Sequence, residues 1–138
     1  NEDWFVSTNN PYQGDFCMES GDIGDNQSTD LTIALEFLGD GDLTFARRVS
    51  TEDGWDFLRL EIDGAMVAEW SGELDWAEES FPLTAGFHTI TWSYEKDNII
   101  SGGADACWVD DSSFRRSASS TPRSPRAEPL ASCARARA

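Results

Sequence analysis

The residue type that dominates the chemistry open to this sequence is the carboxylate: 26 Asp and Glu stand in 138 residues, against one histidine and three cysteines. Carboxylate oxygens in such number suit a hard cation such as calcium, which gathers several oxygen ligands from side chains and backbone carbonyls. The segments that offer them are "WVDD" with Asp110 and Asp111, "GDIGD" with Asp22 and Asp25, "GDGD" with Asp40 and Asp42, and the pair Asp97 and Asp105. None follows the spacing of an EF-hand loop, so pattern alone fixes no site. In "CWVDD", read as a strand, Trp108 and Asp110 share one face, and Val109 and Asp111 share the other. An aspartate beside core positions needs a partner, because an unpaired buried charge is costly. Calcium, a backbone amide or an arginine each meets that need, and aspartate serves turns as readily. The metal candidates are therefore Asp110, Asp111, Asp25, Asp22 and Asp105, with calcium as the ion.

Six tryptophans form the second group. Trp92 and Trp108 fall in alternating runs and read as core, whereas Trp4, Trp55, Trp70 and Trp76 fall near strand ends or loops. An exposed indole there stacks on a sugar face, so Trp55, Trp76 and Trp70 are the candidate ligand-binding residues; capping the open ends of a sandwich is the competing role. Catalysis has less support. His88 sits inside a strand pattern, where a structural role outweighs that of a general base, and no Gly-x-Ser-x-Gly, HExxH or Cys-His signature occurs. Carboxylates are so numerous that closeness of some pair, as in glycosidases, carries no information. Cys17, Cys107 and Cys133 lack metal-ligand spacing. Cys17 and Cys107 read either as small apolar core residues or as a disulfide in an extracellular setting.

These side chains must be positioned by strands, because the dominant period is two. In "FHTITWSYE", His88, Ile90, Trp92 and Tyr94 fall on one face, and in "DFLRLEI" Leu58, Leu60 and Ile62 do the same. "LTIALEF" and "LTFARRV" add Leu31, Ile33, Leu35 and Phe37, then Leu43, Phe45 and Val49, with Arg47 as the one misfit. Asp63-Gly64 between two such runs predicts a two-residue hairpin turn with both residues at positive φ. Gly72, Gly86 and the Gly102-Gly103 pair mark further turns, and Thr51 to Gly54 reads as a polar loop. No stretch in residues 1–114 shows helical periodicity of useful length, so short strands at this spacing predict an antiparallel β-sandwich or barrel.

Charge divides the chain. Residues 1–114 hold 25 acids against Arg47, Arg48, Arg59 and Lys96, a net −21, while the segment from Arg115 holds six arginines against Glu128. The acidic body repels phosphate backbones, which argues against nucleic acid, and the basic segment lacks the interleaved aromatics that stacking on bases uses. No apolar run reaches the length of a membrane span, and "NEDWFVS" does not have the form of a signal peptide. The segment 115–138 is rich in Arg, Ala, Ser and Pro and has no aromatic residue. It cannot bury enough apolar surface to offset its ordering entropy, which predicts disorder. A natural linker or a shifted reading frame accounts for it, the latter better, since GC-rich codons read out of frame yield these residues.

Taken together, "SGDIGDNQST", "VSTEDGWDFLRLEIDG", "WSGELDW", "LTAGFHTITWSYEKD" and "GGADACWVDD" resemble the MAM-like, cleaved-adhesin-like jelly rolls of the concanavalin-like lectin superfamily, over about Tyr12 to Asp111. The resemblance implies an all-β fold, an antiparallel jelly-roll β-sandwich used as a non-catalytic module beside proteases, glycoside hydrolases and adhesins in secreted or surface-attached bacterial proteins, often with bound calcium. Two departures stand out. The acidic first strand of such domains has no counterpart before "DWFVST", which implies an N-terminal truncation. Where these domains continue with an aliphatic residue, an aromatic and a proline, this chain has Ser112, Ser113, Phe114 and Arg115.

The expectation is a sandwich domain over residues 1–114, lacking its first strand, and a disordered tail over 115–138. Its function would be that of an accessory or adhesion module of a secreted or cell-surface bacterial protein. The partners would be an extracellular protein or polysaccharide and the neighbouring domains of a larger parent, without nucleic acid or membrane insertion. The alternative is a carbohydrate-binding module appended to a glycoside hydrolase, which exposed and coplanar Trp rings would favour. An enzyme domain in its own right would need a cleft joining His88 to a carboxylate.

Overall fold

A computed structural model describes residues 2–117. The period-two runs form strands: β1 (Phe5–Ser7), β2 (Cys17–Glu19), β3 (Ser28–Phe37), β4 (Gly41–Ser50), β5 (Phe57–Ile62), β6 (Ala65–Trp70), β7 (Glu73–Leu83), β8 (Gly86–Glu95) and β9 (Ala106–Arg116). They make two sheets, β1-β2-β9-β4-β7 and β3-β8-β5-β6. Every pairing is antiparallel. The result is a jelly-roll β-sandwich, with no helix among the described residues and hence none long and apolar enough to cross a membrane.

The predicted alternation positions the core. Leu43, Phe45 and Val49 of β4, with Cys107, Val109 and Phe114 of β9, face Leu58 and Leu60 of β5 and Ile90, Trp92 and Tyr94 of β8. Burial of each large apolar side chain stabilises the fold by about 1.5–3 kcal/mol relative to exposure. Phe45 meets Trp92 edge-on, with centroids 5.3 Å apart and planes at 86°, the arrangement that the ring quadrupoles favour. At the predicted hairpin, Asp63 and Gly64 take φ of 54° and 82°, and Ile62 pairs with Ala65.

Arg47, the misfit of β4, lies at the open edge between the sheets. Its Nη1 donates to the Asp75 carbonyl at 2.9 Å, its Nη2 stands 3.1 Å from Glu79, and its guanidinium lies 5.7 Å from the centre of the Trp70 ring. Polar partners at the rim let an arginine occupy a core-side position. Both Glu79 and Asp75 belong to β7, a strand the sequence reading passed over. β7 is an edge strand, where acidic residues and Pro82 are tolerated because one side of the ladder is unpaired.

A bulge in β9 decides where the last aspartates point. Ala46 pairs with Asp110, yet Thr44 pairs with Ser113, so β9 carries one extra residue opposite β4. Asp111 absorbs it at φ 50°. Past the bulge the side-chain parity reverses: Phe114 enters the core while Asp111, Ser113 and Arg115 line the outer face. β9 then continues through Arg115 and Arg116, which pair with Asp42 and Gly41, although composition alone assigns these two to the tail. Residues 118–138 of that tail lie outside the described residues.

Candidate functional site

On the outer face of the five-stranded sheet, β4 contributes Thr44 and Ala46, β7 contributes Glu78, and β9 past its bulge contributes Asp111, Ser113 and Arg115. Together they line a recess of about 130 Å³. The loop joining β1 to β2 folds over this face. Trp76 Nε1 donates to the Asn10 carbonyl at 2.8 Å, and the Tyr12 hydroxyl donates to Glu78 Oε1 at 3.1 Å. The Tyr12 and Trp76 rings lie 5.7 Å apart at 48°, so they form an angled wall and not the coplanar platform that the sequence reading named as the mark of sugar binding. The hydrogen bond to Glu78 and the nearby charge of Asp111 push the Tyr12 phenol up. A second depression, of about 350 Å³, runs along Asp40, Gly41, Asp42, Pro82, Leu83, Thr84 and Ser117 and has no aromatic lining.

The five predicted metal ligands do not converge. The Tyr12 and Gln13 amides each donate to Asp110 Oδ2 at 2.9 Å, so Asp110 holds the β1–β2 loop down and the backbone supplies its partner. Asp111 lines the recess. Asp105 accepts from the Tyr94 hydroxyl and from Lys96 Nζ. Asp22 and Asp25 lie exposed between β2 and β3. Convergence occurs elsewhere: Glu52 and Asp56 of the β4–β5 loop and Asp97 of the β8–β9 loop bring one carboxylate oxygen each within 4.8 Å of the others. These three can hold a metal ion. Burial first, opposed by the Asp97 amide and Lys96, pushes Asp56 up; burial and then the charges of Asp97 and Asp56 do the same to Glu52. Sequence reasoning named Asp97 and missed its two partners, because "TEDGWD" read as a polar loop running into a strand.

The candidate tryptophans separate into three settings. Trp55 is 60% exposed, at the tip of the β4–β5 loop. Trp76 is half-buried on the outer face, against Cys17, Ala106 and Trp108. Trp70 belongs to the interior edge, packed against the core with its ring at 84° to Phe45 and 76° to Phe81 and the Arg47 guanidinium 5.7 Å from its centre. Trp108, expected in the core, is fully buried but on the outer face, beneath the Arg48 guanidinium at 3.9 Å.

Cys17 and Cys107 are free and buried. The disulfide reading fails on parity: Cys107 faces the core with Val109, whereas Cys17 packs with Trp108 on the opposite face of the same sheet. His88 does meet a carboxylate, with Nδ1 2.6 Å from Asp63 Oδ2. Its Nε2 donates to the Thr84 carbonyl at 2.8 Å. Both ring nitrogens face acceptors, so the imidazole links β8 to the β5–β6 turn and to Thr84.

No family model and no curated protein matches this chain. Among solved structures, TmCBM61 in complex with β-1,4-galactotriose is similar at 22% identity and a TM-score of 0.51, over 83% of this chain and 88% of that one. A cycloisomaltooligosaccharide glucanotransferase from Paenibacillus sp., complexed with cycloisomaltoheptaose, is similar at 20% identity and a TM-score of 0.43, over 81% of this chain; the match spans 17% of that enzyme. The CBM36-1 domain of a multidomain xylanase from the hindgut metagenome of Trinervitermes trinervoides is similar at 17% identity and a TM-score of 0.40, over 76% of this chain and 84% of that domain. TmCBM61 shares the sandwich fold of this chain.

Proposed function

We propose that the chain is a carbohydrate-binding module, with the recess on the outer face of the five-stranded sheet as its sugar site. The observation that carries this reading is an aromatic pair, Tyr12 and Trp76, set beside a recess of hydrogen-bonding side chains and joined to it by the bond from the Tyr12 hydroxyl to Glu78. Tyr12 and Trp76 supply apolar ring faces on which the C–H face of a pyranose packs. Glu78 and Asp111 accept hydrogen bonds from sugar hydroxyls, and Arg115 donates them. The net −21 of residues 1–114 repels uronates and sulfated glycans, which favours a neutral polysaccharide. TmCBM61, of the same fold, was solved with a neutral β-1,4-galactose oligomer bound. The same reading makes the chain a non-catalytic, extracellular part of a larger protein, steadied by calcium, and takes the place of adhesion to a protein partner.

Titration calorimetry of the 138-residue chain tests the proposal, with neutral β-1,4-linked galactose, xylose and glucose oligomers and with polygalacturonate. Binding to a neutral oligomer is expected, weakened by about tenfold or more in Trp76→Ala. Preference for polygalacturonate, failure to bind any neutral oligomer, or full affinity in Trp76→Ala overturns it.

A further inference from the structure

We propose that Glu52, Asp56 and Asp97 form a calcium site that ties the β4–β5 loop to the β8–β9 loop. The proposal does not rest on sugar binding. Its first support is the convergence of three carboxylate oxygens within 4.8 Å. Its second is a buried oxygen with nothing to bind. The Asp97 amide donates to Asp56 Oδ1 at 3.0 Å, which leaves Oδ2 of a side chain that is 0% exposed without a hydrogen-bond partner. Oε2 of Glu52 is buried and unpartnered as well. A buried carboxylate oxygen left unmatched is among the costlier arrangements in a protein, and two of them in one acidic cluster call for a cation.

Among the described residues, no basic side chain pairs with the carboxylates of Glu52, Asp56 and Asp97. Lys96 is the basic residue beside the cluster, but its Nζ donates to Ser101 Oγ and Asp105 Oδ2, both at 2.6 Å. An all-oxygen, trianionic donor set selects a hard divalent ion. Oxygens on a calcium sphere of about 2.3–2.6 Å radius stand at most about 5 Å apart, whereas a magnesium sphere of about 2.1 Å allows about 4.2 Å and demands a near-ideal octahedron. Oxygens that all lie within 4.8 Å of one another fall inside the span of a calcium sphere.

The site would close one end of the sandwich. Asp97 is anchored from both directions, its carbonyl accepting from the Asn26 amide at 2.7 Å and its Oδ1 from the Ile99 amide at 3.1 Å. The Glu52 carbonyl accepts from Ser71 Oγ at 3.0 Å. Gly102 lets the two loops touch: a Cβ there would stand 2.8 Å from Glu52 Cα. The ion would add a carboxylate cross-link to a seam already brought together by the backbone.

The test is calorimetry and thermal melting of the 138-residue chain, freed of metal with EDTA and titrated in the absence of saccharide. Its outcome therefore leaves the sugar reading untouched. Calcium chloride is compared with magnesium chloride and with sodium chloride at matched ionic strength, so that general screening is subtracted. One calcium is expected to bind and to raise the melting temperature by mass action on the folded form. Glu52→Gln and Asp97→Asn should each weaken calcium by about tenfold or more, and Asp110→Asn should leave it unchanged. Asp56→Asn removes the buried unpaired charge, so in EDTA it should melt no lower than the parent and gain nothing from calcium. A gain no greater than that from magnesium, a gain that survives Glu52→Gln and Asp97→Asn, or an Asp56→Asn chain that melts well below the parent in EDTA overturns the site.

Discussion

Nδ1 of His88 stands 2.6 Å from Oδ2 of Asp63, which ties the middle of the four-stranded sheet to the residue that turns the β5–β6 hairpin. Asp63 Oδ1 also accepts from the Thr89 amide at 2.9 Å, and the Asp63 amide donates to the Thr89 carbonyl at 2.8 Å. A turn that depends locally on an Asp-Gly pair is thus fastened across the sheet.

The lock is pH-dependent in a defined direction. The hydrogen bond to Asp63, more than the Thr84 carbonyl, holds the His88 pKa above its ordinary value. The Thr89 amide and then His88 hold Asp63 below the usual carboxylate range. The His88 contribution is therefore fully present below its unfolded pKa of about 6.5 and is lost as pH rises through the higher folded value. That of Asp63 is present above about 3.9 and is lost as pH falls through the lower folded value. In melting curves across this range, His88→Gln should lie furthest below the parent at mildly acidic pH, and the gap should narrow towards alkaline pH. A gap that is constant with pH removes the charge from the account.

Much of this architecture was legible in the sequence, and the reason is periodicity. Leu58, Leu60 and Ile62, or Ile90, Trp92 and Tyr94, show their shared face without any knowledge of the partner strand, and Asp63-Gly64 specifies its own turn. What stayed hidden depends on pairing. The bulge that swings Asp111 to the outer face exists only against β4, and the Glu52-Asp56-Asp97 trio joins loops 41 residues apart along the chain. Trp108 illustrates the same limit: alternation predicts that it is buried but not that the cover comes from Arg48, Cys17 and Trp76 on the outer face.

Asp110 offers a test of how the sugar site is held. Its Oδ2 is the acceptor for two loop amides, those of Tyr12 and Gln13. Asp110→Ala leaves both without their acceptor and should cost about 2 kcal/mol in urea unfolding, since an unsatisfied donor costs ~1–3 kcal/mol and this loop is partly hydrated. Asp110→Asn keeps an oxygen there and should cost less. Sugar affinity should fall in the same order because Tyr12 rides on that loop. Equal stability for Asp110→Ala and the parent would show that the loop is held by other contacts.

The end of β9 gives a third prediction. Arg115 and Arg116 pair with Asp42 and Gly41, the Ser117 amide donates to the Asp40 carbonyl at 2.8 Å, and Gly41 passes so close that a Cβ would stand 2.2 Å from the Arg115 carbonyl oxygen. A chain ending after Phe114 should melt several degrees below one ending after Ser117, since each net hydrogen bond contributes about 1 kcal/mol and such a loss moves the midpoint by about 4–8 °C. Coincident melting curves would place the structural end of the domain at Phe114, as charge composition alone suggests.

The last prediction separates two tryptophans that the sequence presents as alike. Trp70 is set edge-on to Phe45 and Phe81 at the sandwich edge, so Trp70→Ala opens a cavity that the neighbouring rings cannot fill. Its cost should be about 3 kcal/mol or more in urea unfolding. Trp76 lies on the outer face, with its Nε1 bonded to the Asn10 carbonyl and its ring against Tyr12. Trp76→Ala removes less buried surface and should cost about 1–2 kcal/mol. For sugar affinity the order reverses: Trp76→Ala should weaken binding to the preferred neutral oligomer, whereas Trp70→Ala, measured where the variant remains folded, should retain it. Trp76→Phe, which keeps an aromatic face but loses the Nε1 donor, should recover most of the affinity if stacking is the dominant contact. If Trp70→Ala abolishes binding while Trp76→Ala retains it, the ligand enters at the edge between the sheets and the recess beside Asp111 is not the sugar site.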